Sequence, residues 1–321
     1  MLRTVLLCSL LLVLQPYASF GFDFLERGRR DAKDHHNWNY EDKTGPDHWP
    51  KMFKKCGGAR QSPINIINSE VDLNDELDAF EFDNYDDPLV DARIENNGHT
   101  IQVSPGSKDP PRTIDEGGMD DQYQFLQLHF HWGSDSKKGS EHLIDGSSFP
   151  LEMHFVHINK NYKTKEKALQ KEDGLAVLAV LFKLDDEDNP ALTPIIDKLD
   201  DVRQEGSKAD LDDAFTLESL LPDDLMPYYR YKGSLTTPPC SEAVTWTVFK
   251  DFVPISEKQL QLFRNVKEED EGEPAESLVD NFRPVQELHG RVVEISRDSD
   301  NAAPSLSSST LMVLTAFALF L

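Results

Sequence analysis

The fold of this chain is decided by the stretch Gln127-Leu128-His129-Phe130-His131-Trp132-Gly133. Aromatic and apolar residues run from Phe125 to Trp132 and a glycine follows them, which is the pattern of a β-strand. Side chains on a strand alternate between its faces, so Gln127, His129 and His131 share one face while the apolar residues share the other. The sequence therefore predicts two imidazoles that point into one space.

A second stretch, Leu151 to His157, has the same alternation and places Glu152 and His154 on one face. If the two strands are neighbours in a sheet, His154 meets His129 and His131 around one metal ion. Ordinary core or surface histidines are the alternative interpretation. Two imidazoles at i and i+2, with a carboxamide and a carboxylate at matching offsets, favour the metal site.

These ligands indicate a catalytic rather than a structural metal. Three neutral imidazoles leave a zinc ion its double positive charge and one open position for water. Structural zinc sites more often have four ligands rich in cysteine, whereas the mature chain is expected to keep only Cys56 and Cys240. The His-Glu-x-x-His motif of zinc peptidases is absent from the sequence.

A metal-bound imidazole also needs its other N–H held in place. Gln127 and Glu152 lie on the correct strand faces, two residues before His129 and His154 respectively. Generic polarity of a strand face is the alternative role for both residues. We expect them to orient the two rings.

The length, hydrophobic fraction and net charge of the chain indicate a globular protein without a nucleic-acid partner. It has 321 residues, of which 38% are hydrophobic, and a formal net charge of −25 at pH 7. Such a charge repels phosphates, which argues against binding to nucleic acid. Strand-like runs recur at Ile94 to Val103, Phe125 to Trp132, Leu151 to Asn159, Leu175 to Leu184 and Ala243 to Phe252.

The predicted helices are few and short, with Thr216 to Leu221 and Ser256 to Val266 as the better candidates. Strands and helices together predict one domain over residues 34–297, with a large sheet and small peripheral helices. Solvated surface is the interpretation of the acidic runs Glu70 to Asp91, Asp185 to Asp188 and Glu268 to Glu273. Calcium binding is the alternative, although no regular oxygen-ligand loop is present in the sequence.

The N-terminus has the features of a secretory signal peptide, predicted over residues 1–21. Met1-Leu2-Arg3 is followed by a short apolar run, and small residues at Ser19 and Gly21 offer a cleavage point. Residues 22–33 contain the basic cluster Arg27-Gly28-Arg29-Arg30. This cluster is either a processing site, which makes the segment a propeptide, or part of a solvated tail.

The predicted entry into the secretory pathway also affects the expected state of the cysteines. Cys8 lies in the predicted signal, so the mature chain keeps Cys56 and Cys240. In an oxidising compartment these two should pair, and two free buried thiols are the alternative.

The C-terminus, residues 298–321, matches the signal for a glycosylphosphatidylinositol (GPI) anchor. A Ser-rich stretch from Pro304 to Thr310 precedes a terminal apolar run from Leu311 to Leu321. As a helix, those eleven residues would reach about 16 Å, against about 30 Å for a hydrocarbon core. The predicted attachment residue is Asn301, with the two residues before it as alternatives. A short tail anchor and a disordered end are the other interpretations of the run.

Motifs that match one enzyme family are spread over about four fifths of the chain. They are Trp38-x-Tyr40, Gln61-Ser62-Pro63-Ile64-Asn65-Ile66, Asn97-Gly98-His99, Gln127-x-His129-x-His131-Trp132-Gly133, Gly139-Ser140-Glu141-His142, Glu152-x-His154-x-Val156-His157, Gly233-Ser234-Leu235-Thr236-Thr237-Pro238-Pro239-Cys240, Val244-x-Trp246 and Asn281-x-Arg283-Pro284. In this order they resemble the α-class carbonic anhydrases. The resemblance implies a mainly β (mixed α/β) fold, with a large twisted, mostly antiparallel central sheet of about ten strands and short peripheral helices.

The resemblance also assigns the residues around one Zn²⁺ ion per chain. The implied ligands are His129, His131 and His154, and the residues that support them are Gln127, Glu152 and Asn281. The implied reaction is reversible attack of zinc-bound hydroxide on carbon dioxide to give bicarbonate and a proton. Thr236 would accept a hydrogen bond from the hydroxide and donate its own proton to Glu141, which turns the hydroxide lone pair toward the substrate.

A small apolar substrate needs an apolar wall and no charged clamp. The resemblance implies that this wall consists of Val156, Val177, Leu235, Val244 and Trp246. The backbone N–H of Thr236 and the hydroxyl of Thr237 would contact substrate or product. Core packing is the alternative role for any one of the apolar residues alone.

Proton export is implied for His99, which follows Asn97-Gly98 in a turn and matches the proton shuttle of the family. The unperturbed pKa of histidine, about 6.5, suits proton transfer at neutral pH. An exposed turn histidine without a role is the alternative. Tyr40, Asn97 and Gln102 are similar to positions that line the water path. Gln102 stands where asparagine is commoner, which leaves the efficiency of the shuttle open.

Cys56 and Cys240 match the disulfide of secreted and membrane-tethered family members, where it would brace the loop of Thr236. We expect a monomer that travels the secretory pathway to the extracellular face of the plasma membrane and is GPI-anchored there. Its partners would be carbon dioxide and bicarbonate, with bicarbonate or proton transporters as candidates in pH regulation. A catalytically silent binding ectodomain is the alternative function, although the three ligand histidines, Thr236 and Glu141 are all present.

Overall fold

The structure is a computed structural model that describes residues 38–41, 43–269 and 275–298. The predicted signal peptide, the N-terminal segment after it and the anchor residue Asn301 lie outside these residues, as does nearly all of the predicted anchor signal. Within the described ranges, no helix is long and apolar enough to cross a membrane.

Short elements alternate with a few long strands along the described chain. The strands are β1 (Asn65–Ile66), β2 (Asp72–Leu73), β3 (Phe80–Asp83), β4 (Arg93–Asn96), β5 (Ile101–Ser104), β6 (Thr113–Glu116), β7 (Tyr123–Trp132), β8 (Leu143–Ile144), β9 (Leu151–Asn159), β10 (Leu175–Asp185), β11 (Lys208–Asp210), β12 (Tyr228–Gly233), β13 (Val244–Ser256), β14 (Lys267–Glu268), β15 (Glu276–Ser277) and β16 (Glu294–Ile295). The α-helices are α1 (Trp49–Met52), α2 (Lys165–Ala168), α3 (Thr193–Ile196) and α4 (Glu257–Phe263), and the 3₁₀ helices are Lys54–Gly57, Asn68–Glu70, Pro190–Leu192 and Glu218–Leu220.

One twelve-stranded sheet dominates the fold, with ten strands in the order β11-β4-β5-β7-β9-β10-β13-β12-β16-β2. Strand β6 also pairs with β7 and carries β3 at its other edge. Neighbouring strands are antiparallel except for the pairs β10–β13 and β16–β2, which are parallel. The predicted fold class, a large and mostly antiparallel sheet with short peripheral helices, is confirmed.

Alternation of side chains gives this sheet two apolar faces. On β9, Met153 and Phe155 point into the larger core, whereas Val156 points into a second cluster on the other face. On β10, Leu178 lies in the larger core and Val177 in the second cluster. The second face is therefore the one that carries the predicted ligand histidines.

Two predicted elements differ in the structure. The run from Ile94 to Val103 is a hairpin of β4 and β5, because Asn97 N–H bonds to Thr100 O at 3.2 Å and closes a turn. The segment predicted as a helix at Thr216 forms only the 3₁₀ turn Glu218–Leu220.

The predicted helix after Ser256 is confirmed as α4, and a capping box fixes its first turn. Ser256 Oγ accepts from the Gln259 N–H at 3.0 Å, and Gln259 Oε1 accepts from the Ser256 N–H at 3.4 Å. Two backbone donors at the helix start are thereby satisfied.

Candidate metal centre

The pairing of β7 with β9 brings the three predicted ligand histidines together. In this antiparallel pair His129 lies directly opposite His154. The ring centroids are 5.1 Å apart for His129 and His131, 5.1 Å for His129 and His154, and 4.7 Å for His131 and His154. The predicted neighbourhood of the two strands is confirmed.

Two of the rings are oriented through Nδ1. His129 Nδ1 lies 3.0 Å from Gln127 Oε1. His131 Nδ1 lies 2.7 Å from the backbone oxygen of Asn281. Each contact selects the tautomer in which Nδ1 donates, so Nε2 of both rings is left to face a metal.

The third ring is oriented the other way round. His154 Nε2 lies 2.6 Å from Glu152 Oε1, so His154 Nδ1 faces the other two rings. This Nδ1 lies 3.3 Å from His129 Nε2, and one nitrogen from each of the three rings lies within 4.8 Å of the other two. Three imidazole nitrogens therefore converge on one point.

The converging nitrogens fit a zinc ion. His131 Nε2 is buried and has no hydrogen-bond partner within the described chain, a costly state for a polar atom that binds no metal. Burial, together with the neighbouring rings of His131 and His154, holds the pKa of His129 well below its usual range. Burial also lowers the pKa of His131. Both rings are thus neutral at pH 7, the form that binds Zn²⁺.

Glu152 connects this site to a further buried histidine. Its Oε1 accepts from His142 Nδ1 at 2.6 Å as well as from His154. Its Oε2 accepts from the backbone N–H groups of Glu141 and His142, both at 2.8 Å. Burial would raise the pKa of Glu152, but His142 and His154 outweigh burial and hold that pKa well below its usual range. Glu152 is therefore a carboxylate that accepts four hydrogen bonds.

The network continues through residues to which the sequence assigned no role. His142 Nε2 lies 2.7 Å from the Tyr231 hydroxyl, and that hydroxyl lies 2.9 Å from Ser62 Oγ. Ser62 Oγ accepts from the backbone N–H of Ser234 at 3.0 Å. Since both ring nitrogens of His142 are used in this way, the group of His142, Glu152 and His154 is a hydrogen-bond network and not a second metal site.

One predicted hydrogen bond is not formed in the structure and stays a prediction. Within the described chain the Thr236 hydroxyl makes no bond to Glu141, whose Oε2 is buried without a partner and lies 3.4 Å from His131 Nε2. Glu141 Oε1 instead accepts from the backbone N–H of Arg283 at 2.9 Å. Because this N–H anchors one oxygen, the other is turned toward the histidine rings.

Arg283 is another buried residue to which the sequence assigned no role. Its Nη1 donates to Gln61 Oε1 at 2.9 Å and to the Ser62 carbonyl at 2.8 Å. Its Nη2 donates to the Cys56 carbonyl at 3.0 Å. Burial lowers the pKa of Arg283 to about 10, so the guanidinium stays charged at pH 7. Arg283 therefore ties the anchor of Glu141 to the segment that holds Cys56.

Cys56 and Cys240 form a disulfide with their Cα atoms 4.8 Å apart, which confirms the predicted pairing. Both residues pack with Trp38 and Trp49 in a small buried cluster. The Cys240 N–H donates to the Thr237 carbonyl at 2.9 Å. The bridge thus joins the N-terminal aromatic segment to the loop of the two predicted threonines.

The predicted apolar wall lies on the same face as the histidines. Val156 pairs with Val177 across β9 and β10, and Val177 pairs with Trp246 across β10 and β13. The Trp246 ring lies 4.8 Å from the His154 ring. Of the remaining wall residues, Val244 is buried in the same cluster and Leu235 packs against it.

His99 lies in the turn between β4 and β5 and is half-buried. Its N–H donates to Asn97 Oδ1 at 3.0 Å. The imidazole stacks on the Trp38 indole, with centroids 3.8 Å apart and planes at 16°. Gly98 is needed here, because its φ is +81° and a Cβ would lie 2.7 Å from the carboxylate carbon of Glu205.

The three residues predicted for the water path have different surroundings. Burial raises the pKa of Tyr40 well above its usual range, so its hydroxyl stays protonated. Gln102 lies opposite His129 across β5 and β7, and its Nε2 donates to Ser104 Oγ at 3.1 Å. Asn97 uses its side-chain oxygen to hold the turn.

Comparison with known proteins shows which family has these residues. The sequence profile of the eukaryotic-type carbonic anhydrases matches residues 44–297. This chain belongs to the carbonic anhydrase family. The predicted α-class resemblance is confirmed, and carbonic anhydrases in general act on carbon dioxide and bicarbonate and typically bind zinc.

Three relatives illustrate how far the likeness extends. Carbonic anhydrase 7 of Homo sapiens is 42% identical over 263 residues, which is 82% of this chain and 98% of the relative. Carbonic anhydrase 7 of Mus musculus is 41% identical over the same length, with the same coverage of both chains. Carbonic anhydrase 15 of Mus musculus is 41% identical over 291 residues, which is 86% of this chain and 87% of the relative.

Proposed function

We propose that this protein catalyses the zinc-dependent, reversible hydration of carbon dioxide to bicarbonate and a proton at the outer surface of the cell. The observation that carries the proposal is the convergence of three imidazole nitrogens, each ring held by an oxygen acceptor on its other nitrogen. When bound, zinc supplies the hydroxide nucleophile by lowering the pKa of water toward neutrality, a property known for carbonic anhydrases in general.

Glu141 and Thr236 would orient that nucleophile. Arg283 N–H holds Glu141 Oε1, so Oε2 remains as an acceptor that faces the site. A buried carboxylate oxygen without a partner is unfavourable, and the Thr236 hydroxyl is the donor proposed to satisfy it during the reaction. The Thr236 oxygen would then be left as an acceptor for the O–H of the nucleophile, which it would orient toward carbon dioxide.

The apolar wall would hold carbon dioxide beside the histidines. Val156, Val177 and Trp246 form one continuous row across three strands, and their side chains are almost fully buried. Such a surface suits a small apolar molecule and favours release of the charged product. The backbone N–H of Thr236 and the hydroxyl of Thr237 would meet the oxygen atoms of substrate or product.

His99 would carry the proton away after each turnover. Histidine side chains in general can act as acid and base near neutral pH, and His99 lies in the turn between β4 and β5, half-buried against Trp38. Tyr40, Asn97 and Gln102 would order the water molecules between His99 and the reaction centre. Tyr40 suits this task because its hydroxyl keeps its proton and can both donate and accept.

We expect His99→Ala to lower maximal turnover about 10²-fold at low buffer concentration, because positioned proton transfer contributes that order of rate. The hydration step uses other residues, so kcat/KM should stay within about twofold. Adding imidazole should restore turnover by replacing the lost ring. Stopped-flow hydration with and without imidazole measures both constants. Unchanged turnover at low buffer would refute the role of His99, while absence of hydration in the unaltered protein would refute the function itself.

The cell-surface location is supported by the predicted signal at residues 1–21, the apolar C-terminal run and the disulfide, a bond typical of oxidising compartments. The enzyme would be a monomer attached by a GPI anchor at Asn301, with bicarbonate or proton transporters as candidate partners. Treatment of intact cells with a phospholipase that cleaves such anchors should release the activity. Activity that stays with the treated cells would contradict the anchor.

A further inference from the structure

We infer that Asn281 is a positioning residue that joins the metal ligand His131, which its backbone oxygen orients, to the proton-transfer residue His99, which its side-chain amide holds. This inference rests on the proposed function, because it concerns how two residues of that reaction are held relative to each other. Asn281 is fully buried and lies between the two residues.

Asn281 contacts the ligand strand in three ways, the longest of which is the bond from Nδ2 to the Phe130 carbonyl at 3.4 Å. Its backbone oxygen orients the His131 ring through Nδ1 at 2.7 Å. Its side-chain Oδ1 accepts from the backbone N–H of Trp132 at 2.8 Å. The residue is therefore fixed to the end of β7 at His131 and at the position that follows it.

The other end of the same carboxamide reaches the turn of residues 97–100 that carries His99, called the shuttle turn below. Asn281 Nδ2 donates to the His99 carbonyl at 3.0 Å. The turn is also held by Thr100, whose Oγ1 accepts from the Phe130 N–H at 3.1 Å. Asn97 Oδ1 accepts from the N–H groups of His99 and Thr100, both at 3.0 Å. Thr100 joins the turn to β7, but the Asn281 amide holds the His99 carbonyl itself.

The geometry leaves the carboxamide no alternative orientation. Its oxygen meets a donor at Trp132 and its nitrogen meets an acceptor at His99, so a flipped amide would face the wrong partner at both ends. A substitution of Asn281 that removes the amide donor leaves the backbone carbonyl in place, so the His131 ring should keep its position. The same substitution should release the His99 carbonyl. An error of about 1 Å in the placement of a reacting group can cost about 10²-fold in rate.

Asn281→Ala and Asn281→Asp in the zinc-loaded enzyme test this coupling. Alanine removes the donor outright, while aspartate keeps the shape and the acceptor for Trp132. Both variants should lose about 10-fold or more of their turnover at low buffer, recover it with imidazole, and keep kcat/KM within about twofold. The amide protons of His99 and Thr100 should exchange faster with solvent than in the unaltered protein.

Asn189→Ala is the matched control, since Asn189 is also a buried asparagine that bonds at both ends, to the Ala191 N–H at 2.9 Å and the Pro254 carbonyl at 3.0 Å. Its turnover at low buffer should be unchanged, and so should the rate of amide exchange in the shuttle turn. Equal losses in turnover and kcat/KM for the Asn281 variants would overturn the inference, as would unchanged exchange of the His99 and Thr100 amides. Amide exchange can be measured without turnover, so it decides the coupling even if the hydration activity is absent.

Discussion

His131→Ala is expected to abolish both stoichiometric zinc binding and carbon dioxide hydration. The other two rings keep their acceptors, Gln127 and Glu152, but two imidazoles do not complete the site. If about 12 kcal/mol of zinc-binding free energy is shared by three ligands, losing one costs about 4 kcal/mol, or roughly 10³-fold in affinity. Metal analysis of the purified protein and stopped-flow hydration measure the two losses.

The control for this variant is His289→Asn. His289 is exposed, and its φ of +50° is a conformation that asparagine accepts readily. Its zinc content and turnover should equal those of the unaltered protein. A His131→Ala protein that kept one zinc per chain and hydrated carbon dioxide would show that His131 is not a ligand.

Glu152→Gln is expected to weaken zinc retention about 10- to 100-fold, the usual cost of losing a residue that orients a metal ligand. The carboxylate accepts two ring N–H groups at one oxygen and two backbone N–H groups at the other. An amide of the same shape must turn its NH₂ group toward one of these pairs, so donors face donors. Each buried donor left unsatisfied costs about 1–3 kcal/mol, so the zinc-free protein should also melt earlier.

The rate at which a chelator removes zinc measures the retention. Glu95→Gln serves as the control, because Glu95 is a strand residue whose carboxylate pairs with Lys208 at 3.0 Å near the surface. It should release zinc at the rate of the unaltered protein. If Glu152→Gln released zinc no faster than this control, the carboxylate would have no part in holding His154.

Local alternation is sufficient to predict the centre of the site. The i, i+2 spacing of His129 and His131 predicts a shared face without knowledge of the rest of the fold, because a strand places both side chains on one face whichever strands lie beside it. The third ligand is a different matter, since His154 joins them only if β7 and β9 are neighbours. That prediction is conditional, and the structure supplies the pairing that fulfils it.

The buried network around Glu152 could not be predicted in the same way. Tyr231 lies 89 positions from His142 and 169 from Ser62 along the chain, and no local period relates them. Arg283 is similar, because its partners are brought to it by the fold of the whole domain. The family motifs mark His142, Ser62 and Arg283 as matching positions, but a match to a motif does not say what the side chain touches.

Errors at the edges of elements have local causes. The strand-like run after Arg93 is broken at Asn97-Gly98, where the Asn97 side chain and a glycine with positive φ close a turn. On β7, the register shifts between Phe125 and Gln127 with one extra residue, which composition cannot reveal because the apolar character continues through it.

Carbon dioxide hydration should depend on one zinc ion bound by His129, His131 and His154. The most direct measurement is stopped-flow hydration by the purified protein before chelation, after removal of the metal, and after addition of one equivalent of zinc. We predict one zinc per chain at the start, loss of catalysis on stripping, and full recovery on reloading. Hydration that persists in the metal-free protein, or a purified chain that binds no zinc, would contradict the claim.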